Sequence, residues 1–300
     1  MAFGDTALRR RRFLGMTTGA LGGCVLFQSN PKTLWAAAKK SELKLGLVTY
    51  QWGKDWDLDA VLRNCADAGF GGVELRSTHK HGVEISLSAQ QRIDIRKRFA
   101  DTPVKLVGLG TACEYHAVDP AVVQRNIDET KAWIDLCRDL GGGGVKVRPN
   151  GLPKEVPVER TLEQIGKSLN GLGKHAAEQG VQIRVEVHGA GTQEIPYMKT
   201  IMDVANHPSV AVCWNCNPTD LKGDGFSANY QTLEDRMGTI HIHDLRPGKV
   251  DYPWEELFAQ LRKCEADSFT GWCLLEDGTV PPDIVGAMKE NLAVFEKLKS

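Results

Sequence analysis

Two glutamates, Glu186 and Glu276, each stand at the end of a short apolar run, and asparagines and histidines stand at the ends of the two runs between them. The four segments read Arg184-Val185-Glu186-Val187-His188, Cys213-Trp214-Asn215-Cys216-Asn217, His241-Ile242-His243-Asp244 and Leu274-Leu275-Glu276-Asp277. If each run is a β-strand, alternate residues share a face, so Glu186 goes with His188, Asn215 with Asn217 and His241 with His243. Glu186, Asn215, His241 and Glu276 then form a mixed oxygen and nitrogen donor set. Such a set suits a divalent ion of intermediate hardness, Mn2+, Mg2+, Co2+ or Zn2+, and does not choose among them. Asn215 is its weak point, because a neutral amide attracts a cation less than a carboxylate does. An ion that binds a sugar carbonyl and the adjacent hydroxyl lowers the cost of forming an enediolate. One glutamate can take the carbon-bound proton while the other returns it, on the same or the opposite face. Glu186, Glu276 and His188 are therefore the candidate catalytic groups, and His188 and His243 are also candidate substrate contacts or orienting groups.

Other run ends supply candidate substrate contacts, Glu74 and Arg76 at the end of the second run among them. Lys146 and Arg148 share a face of one earlier run, where they can bind hydroxyls or an anionic group, or form an interior ion pair with Glu74 or Glu186. Arg246 follows the seventh run and can reach over the site, while Asp244 either accepts from a histidine or caps the next element. Tyr50, Trp52, Tyr115, His116 and Trp214 are candidate apolar walls for a sugar ring, although Trp214 faces the helices if Asn215 faces inward. Any one of these residues alone is more often a satisfied structural group than a catalyst. Glu186 and Glu276 at aligned ends, with His241 between them, reverse that balance.

The elements that must position these groups repeat one unit, a short apolar strand followed by an amphipathic helix. Strands are expected over 44–50, 71–76, 104–109, 144–148, 182–187, 210–214, 239–243 and 272–275. Helices, with apolar residues at steps of three and four, are expected over 58–68, 88–100, 120–140, 158–179, 195–205, 229–236, 254–265 and 283–299. Gly69, Gly141 and Gly180 fall where left-handed helix caps would end three of them. Eight such units predict an α/β fold, a closed (β/α)8 TIM barrel, because open doubly wound sheets usually have fewer strands. Gly141-Gly142-Gly143-Gly144 precedes a strand and not a helix, so it reads as a flexible turn and not as a phosphate cradle. The irregular stretch 149–157 is short enough to be a loop over the mouth.

The 300 residues carry 37 Lys and Arg against 38 Asp and Glu, a net charge of -1, which offers no field for gathering nucleic acid. A small-molecule sugar or keto sugar is the better partner. No apolar run is long enough for a stable membrane span. Residues 1–41 read as an export signal and flexible leader: the basic run Arg9 to Arg12, a glycine-containing apolar stretch to Phe27, then Ala36-Ala37-Ala38 before the expected cleavage. Arg10-Arg11-Arg12-Phe13-Leu14 resembles the twin-arginine signal used for exported, folded proteins, which implies a periplasmic or otherwise exported protein. A disordered basic tail and a lipoprotein anchor at Cys24 are the alternatives. Residues 42–300 are read as one barrel domain. The eight cysteines are scattered through apolar segments and are read as mostly buried small side chains, and Cys213 with Cys216 as no zinc or redox pair.

The Glu186-Val187-His188-Gly189 string, His241 before Asp244, Arg246 beyond it and Glu276 together resemble the xylose isomerase-like family of sugar phosphate isomerases and epimerases. The resemblance implies a metal-dependent barrel enzyme that isomerises, epimerises or dehydrates sugars, keto sugars or inositol derivatives, and a homodimer or homotetramer. It implies Glu186, His241 and Glu276 as metal ligands, with His243 the competing choice for His241, and Arg246 as a substrate contact. The sixth strand departs from the pattern: Asn215 and Pro218 fall where relatives carry aspartate and histidine, and Asp220 compensates only if its loop folds back. The expected function is an exported sugar isomerase or epimerase. A keto-sugar lyase or glycoside-cleaving enzyme, or a catalytically inactive sugar-binding protein, are the alternatives. Apurinic-site endonucleases share the barrel form, but their histidine-rich three-metal cluster and basic surface do not match this chain.

Overall fold

The computed structural model describes residues 42–300. Eight strands alternate with eight α-helices: β1 (Lys44–Val48), α1 (Leu58–Ala68), β2 (Gly72–Arg76), α2 (Ala89–Ala100), β3 (Lys105–Gly110), α3 (Pro120–Leu140), β4 (Gly144–Val147), α4 (Val158–Gln179), β5 (Gln182–Glu186), α5 (Ile195–Val204), β6 (Val210–Trp214), α6 (Phe226–Leu233), β7 (Met237–Ile242), α7 (Trp254–Leu261), β8 (Trp272–Leu275) and α8 (Ile284–Lys299). Each strand pairs in parallel with the next, and β1 closes on β8 through the register Leu45 to Cys273 and Gly46 to Leu274. The fold is the expected (β/α)8 TIM barrel. The helix ends follow local chemistry. Asp57 and Ser88 cap α1 and α2 by accepting from backbone N–H groups in the first turn. Gly69, Gly141 and Gly180 end α1, α3 and α4 in the left-handed region, as their positions in the sequence require.

The main core is the layer between the outer strand faces and the helices, where Leu47, Val73, Val145, Ile183, Val212 and Ile240 meet helical residues such as Ile165 and Leu257. The barrel interior is different. Its apolar filling is a small separate cluster of Val48, Val107 and Leu274, and much of the rest is polar: Glu74, Lys146, Arg184, Glu186 and His241 are all buried. Below the mouth, the Arg184 guanidinium donates to the Val107 carbonyl and to Gln182. It fits only because β4 begins with glycine: a Cβ at Gly144 would lie 2.5 Å from its Cζ. The end of the four-glycine run is therefore a packing requirement and not a flexible turn.

Two helices differ from the periodicity reading by three residues or more. Helix α6 starts at Phe226, three residues before the expected 229, and its last expected turn, Glu234–Arg236, is 3-10 helix. Phe226 is buried edge-on against Trp214 and Tyr252, and that aromatic anchor fixes the start. Helix α7 ends at Leu261 instead of 265. All seven cysteines among the described residues are free and buried, Cys213 and Cys216 included. The export signal and Cys24 lie outside the described residues. Among the described residues, no helix is long and apolar enough to cross a membrane.

Candidate active site

The carboxyl ends of β4 to β8 converge on a cavity of about 260 Å3, and Tyr50 and Arg76 close its other side. Seven expected site residues line it: Lys146, Arg148, Glu186, His188, Asn215, His243 and Glu276. His241 lies beneath them, fully buried, with Nδ1 3.0 Å from Glu276 Oε2 and 3.6 Å from Glu186 Oε1. Donor atoms of Glu186, His241 and Glu276 all fall within 4.8 Å of one another. Strand alternation produces this convergence, since Glu186 ends β5, His241 sits in β7 and Glu276 directly follows β8. His243 lies higher on the same face, where its Nδ1 is 2.8 Å from the Glu276 carbonyl. Of the two competing histidines, His241 is the one that reaches both glutamates.

The electrostatics are set by burial and by a lysine. Lys146 Nζ donates to Glu186 Oε2 at 2.7 Å, with both side chains out of solvent, so the interior ion pair anticipated as one option is formed. Burial alone would push the Glu186 carboxyl up, but Lys146 and His241 outweigh it and hold the group well below the usual carboxylate range. Glu276 is treated the same way: burial raises it, and His241 with Lys146 brings it below its ordinary value despite the neighbouring Glu186. Burial would lower the Lys146 ammonium, yet Glu186, Glu276 and Glu74 raise it. Both glutamates are thus kept as carboxylates, which can accept a proton or hold a cation.

Several residues stand elsewhere than the sequence reading placed them. Arg246 does not line the cavity; it is held by Asp244 and Glu290 and lies over the Trp52 ring. Asp244 neither accepts from a histidine nor caps a helix, because Arg246 and Asn291 occupy its oxygens. Cys216 adopts a left-handed conformation that turns the chain after Asn215. Asn217 consequently does not line the cavity: it donates to the Val187 carbonyl, and its Oδ1 accepts from Asn215 Nδ2 at 3.4 Å. Asp220 does not compensate for Asn215: its Oδ2 accepts from the Asn217 backbone and the Tyr252 hydroxyl, to which Trp214 also donates. Trp214 faces the helices, as the inward Asn215 requires. Trp52 and Tyr115 are buried in the main core, so of the expected walls Tyr50 lines the cavity, stacked under Arg76. Asn150, from the 149–157 loop, joins His188 Nδ1 to Glu114, and Arg148 also binds Glu114. Asn150 and Glu114 were missed because they lie in irregular segments with no period to read. Arg76, a candidate substrate contact from its place at the end of the second strand, does line the cavity.

The donor set fits a divalent cation. Beyond the three clustered groups, Asn215 Oδ1 is buried without a hydrogen-bond partner, and an amide oxygen in that position is a ready neutral ligand.

Comparison with known proteins agrees with this fold. The chain is 21% identical over 232 residues to L-ribulose 3-epimerase of Methylomonas sp. (strain DH-1), covering 71% of this chain and 78% of the relative. It is 20% identical over 253 residues to inosose dehydratase of Bacillus cereus (strain AH820), covering 77% and 81%. The crystal structure of the IOLI protein with a bound zinc atom superposes with a TM-score of 0.70 at 16% identity, over 86% of this chain and 98% of that one. A family model described as xylose isomerase-like TIM barrel matches residues 62–298. With that match spanning most of the barrel, this chain belongs to the xylose isomerase-like TIM barrel family.

Proposed function

We propose that this protein is a divalent-metal-dependent sugar isomerase or epimerase, with Glu186, Asn215, His241 and Glu276 holding the ion. The observation that carries the reading is the cluster of Glu186, His241 and Glu276 donors at the floor of the cavity, with the unpartnered Asn215 oxygen beside it. An ion there would polarise a carbonyl and its neighbouring hydroxyl and so make the carbon-bound proton easier to remove. Lys146 keeps Glu186 ionised and ready to accept that proton; Glu276, also a carboxylate, takes the proton of the adjacent hydroxyl and delivers it to carbon from across the cavity, while Glu186 gives its own back to the oxygen. His188, fixed by Asn150, and Arg148, fixed by Glu114, present polar groups to substrate hydroxyls. At about 260 Å3 the cavity is at the small end of ligand sites and suits one monosaccharide-sized molecule. The likeness to an inosose dehydratase favours, as a second reading, a lyase in which the same proton removal starts elimination. We further place the protein outside the cytoplasm, on the Arg10-Arg11-Arg12-Phe13-Leu14 string, and expect a homodimer or homotetramer.

The test is to express the chain from Lys40 and measure bound divalent metal, then repeat with Glu186→Gln and Glu276→Gln. About one ion per chain, lost in both variants, with inversion or carbonyl migration on keto sugars, is the expected result. Loss of a hydroxyl would select the lyase. Sugar binding without turnover in a chain that takes up no Mn2+, Co2+, Mg2+ or Zn2+ would overturn the enzyme reading.

A further inference from the structure

One fully buried carboxylate of the barrel interior, Glu74, plays no part in the site described above. Glu74 is fully buried in the middle of β2, and neither of its oxygens has a hydrogen-bond partner. A buried carboxylate without a donor is costly, so such a group calls for a specific explanation. The neighbouring atom that can resolve it is also unpartnered: His241 Nε2 lies 3.4 Å from Glu74 Oε1. The opposite ring nitrogen, Nδ1, is the one that faces Glu276 and Glu186. Space for the carboxylate is built into the backbone of β3, where a Cβ at Gly110 would lie 2.9 Å from Glu74 Oε1.

We propose that Glu74 is the positioning residue of the centre: it accepts the Nε2 proton of His241 and so fixes the tautomer whose Nδ1 lone pair points at the cation. The inference rests on the metal-centre reading above. In a neutral imidazole one nitrogen donates and the other accepts, so an acceptor placed at Nε2 decides what Nδ1 can do. A carboxylate there also makes the ligating nitrogen more basic and holds the ring plane, which strengthens the bond to a metal. Glu74 would do this from below, shielded from substrate by the imidazole itself. A rival role, in which Glu74 serves only as a counter-charge for the interior cations Lys146 and Arg184, leaves the histidine tautomer untouched.

The experiment compares wild type with Glu74→Met, which keeps the bulk and removes the acceptor, and with Glu74→Gln, which keeps an amide oxygen. Mn2+ affinity is measured by titration, and the Nε2–H signal of His241 by 15N NMR of the metal-free protein. We expect Mn2+ binding about 10–100-fold weaker in Glu74→Met, partial rescue in Glu74→Gln, and loss of the Nε2–H signal in the methionine variant, whose ring keeps only the Nδ1 proton facing Glu276. Unchanged affinity together with an unchanged tautomer would overturn the assignment. If Glu74→Met does not fold, Glu74→Gln decides, since equal Mn2+ affinity and an unshifted Nε2 signal would count against it. Should wild type take up no metal, the metal-centre reading fails by itself. The tautomer comparison still decides what Glu74 does.

Discussion

Position 215 is where the site departs from the family resemblance, and the consequence is one missing charge beside a cluster that must hold a cation. Asn215 keeps an oxygen in place but contributes only a dipole, whereas a carboxylate there would add a full unit of attraction at close range. Asn215→Asp is therefore expected to tighten Mn2+ binding by at least about tenfold, or about 1.4 kcal/mol, measured by titration of the metal-free protein. Unchanged affinity would remove Asn215 from the ligand set. Lys146 shows the complementary economy: its ammonium, buried against Glu186, offsets a negative charge that would otherwise be hard to bury.

The segment between β6 and α6 gathers Trp214, Asp220 and Tyr252 into a buried hydrogen-bonded chain. Burial pushes the Asp220 carboxyl up to about 7, against the pull of Tyr252 and the Asn217 backbone. The folded state therefore retains a proton that the unfolded chain releases at the ordinary aspartate value, and this contribution to stability is lost as pH rises through about 7. Urea unfolding of wild type should show falling stability from mildly acidic pH to neutrality. Asp220→Asn should flatten that dependence, because the amide carries no proton to lose. A pH profile that is the same in both proteins would sink the assignment. This segment also marks where the sequence ceased to be legible. Strand runs and helix periods placed β6, β8, α1, α3 and α4 to the residue, and alternation correctly turned Glu186, Asn215 and Glu276 toward one mouth. The positive φ of Cys216 broke that alternation, and only tertiary contacts fix where Phe226 starts α6 or where Asp220 points. Arg246 was misplaced for the same reason, since its partner Glu290 is 44 residues away in the chain.

Taken as one body, residues 42–300 are a closed ring in which the last strand pairs with the first, and the cavity draws on the ends of β2 and of β4 to β8, so the site is complete only once the whole barrel has formed. A protein of that kind is suited to export after folding, which is the route that the Arg10-Arg11-Arg12-Phe13-Leu14 string resembles. Replacing Arg10 and Arg11 by lysine should retain the full-length precursor in the cytoplasm, read by fractionation and by the mass of the N-terminus. Processing and export equal to wild type would remove the twin-arginine reading. Beneath the site, Arg184 and the glycines that admit it fill the axis of the barrel, with the guanidinium bonded to Val107 and Gln182. That plug makes the chamber a room with one door. Whatever enters at the mouth must leave by it, so substrate and product cannot pass through in sequence and each turnover waits for the last occupant to depart. A product analogue that lodges under Tyr50 and Arg76 would then compete with substrate from either direction of the reaction.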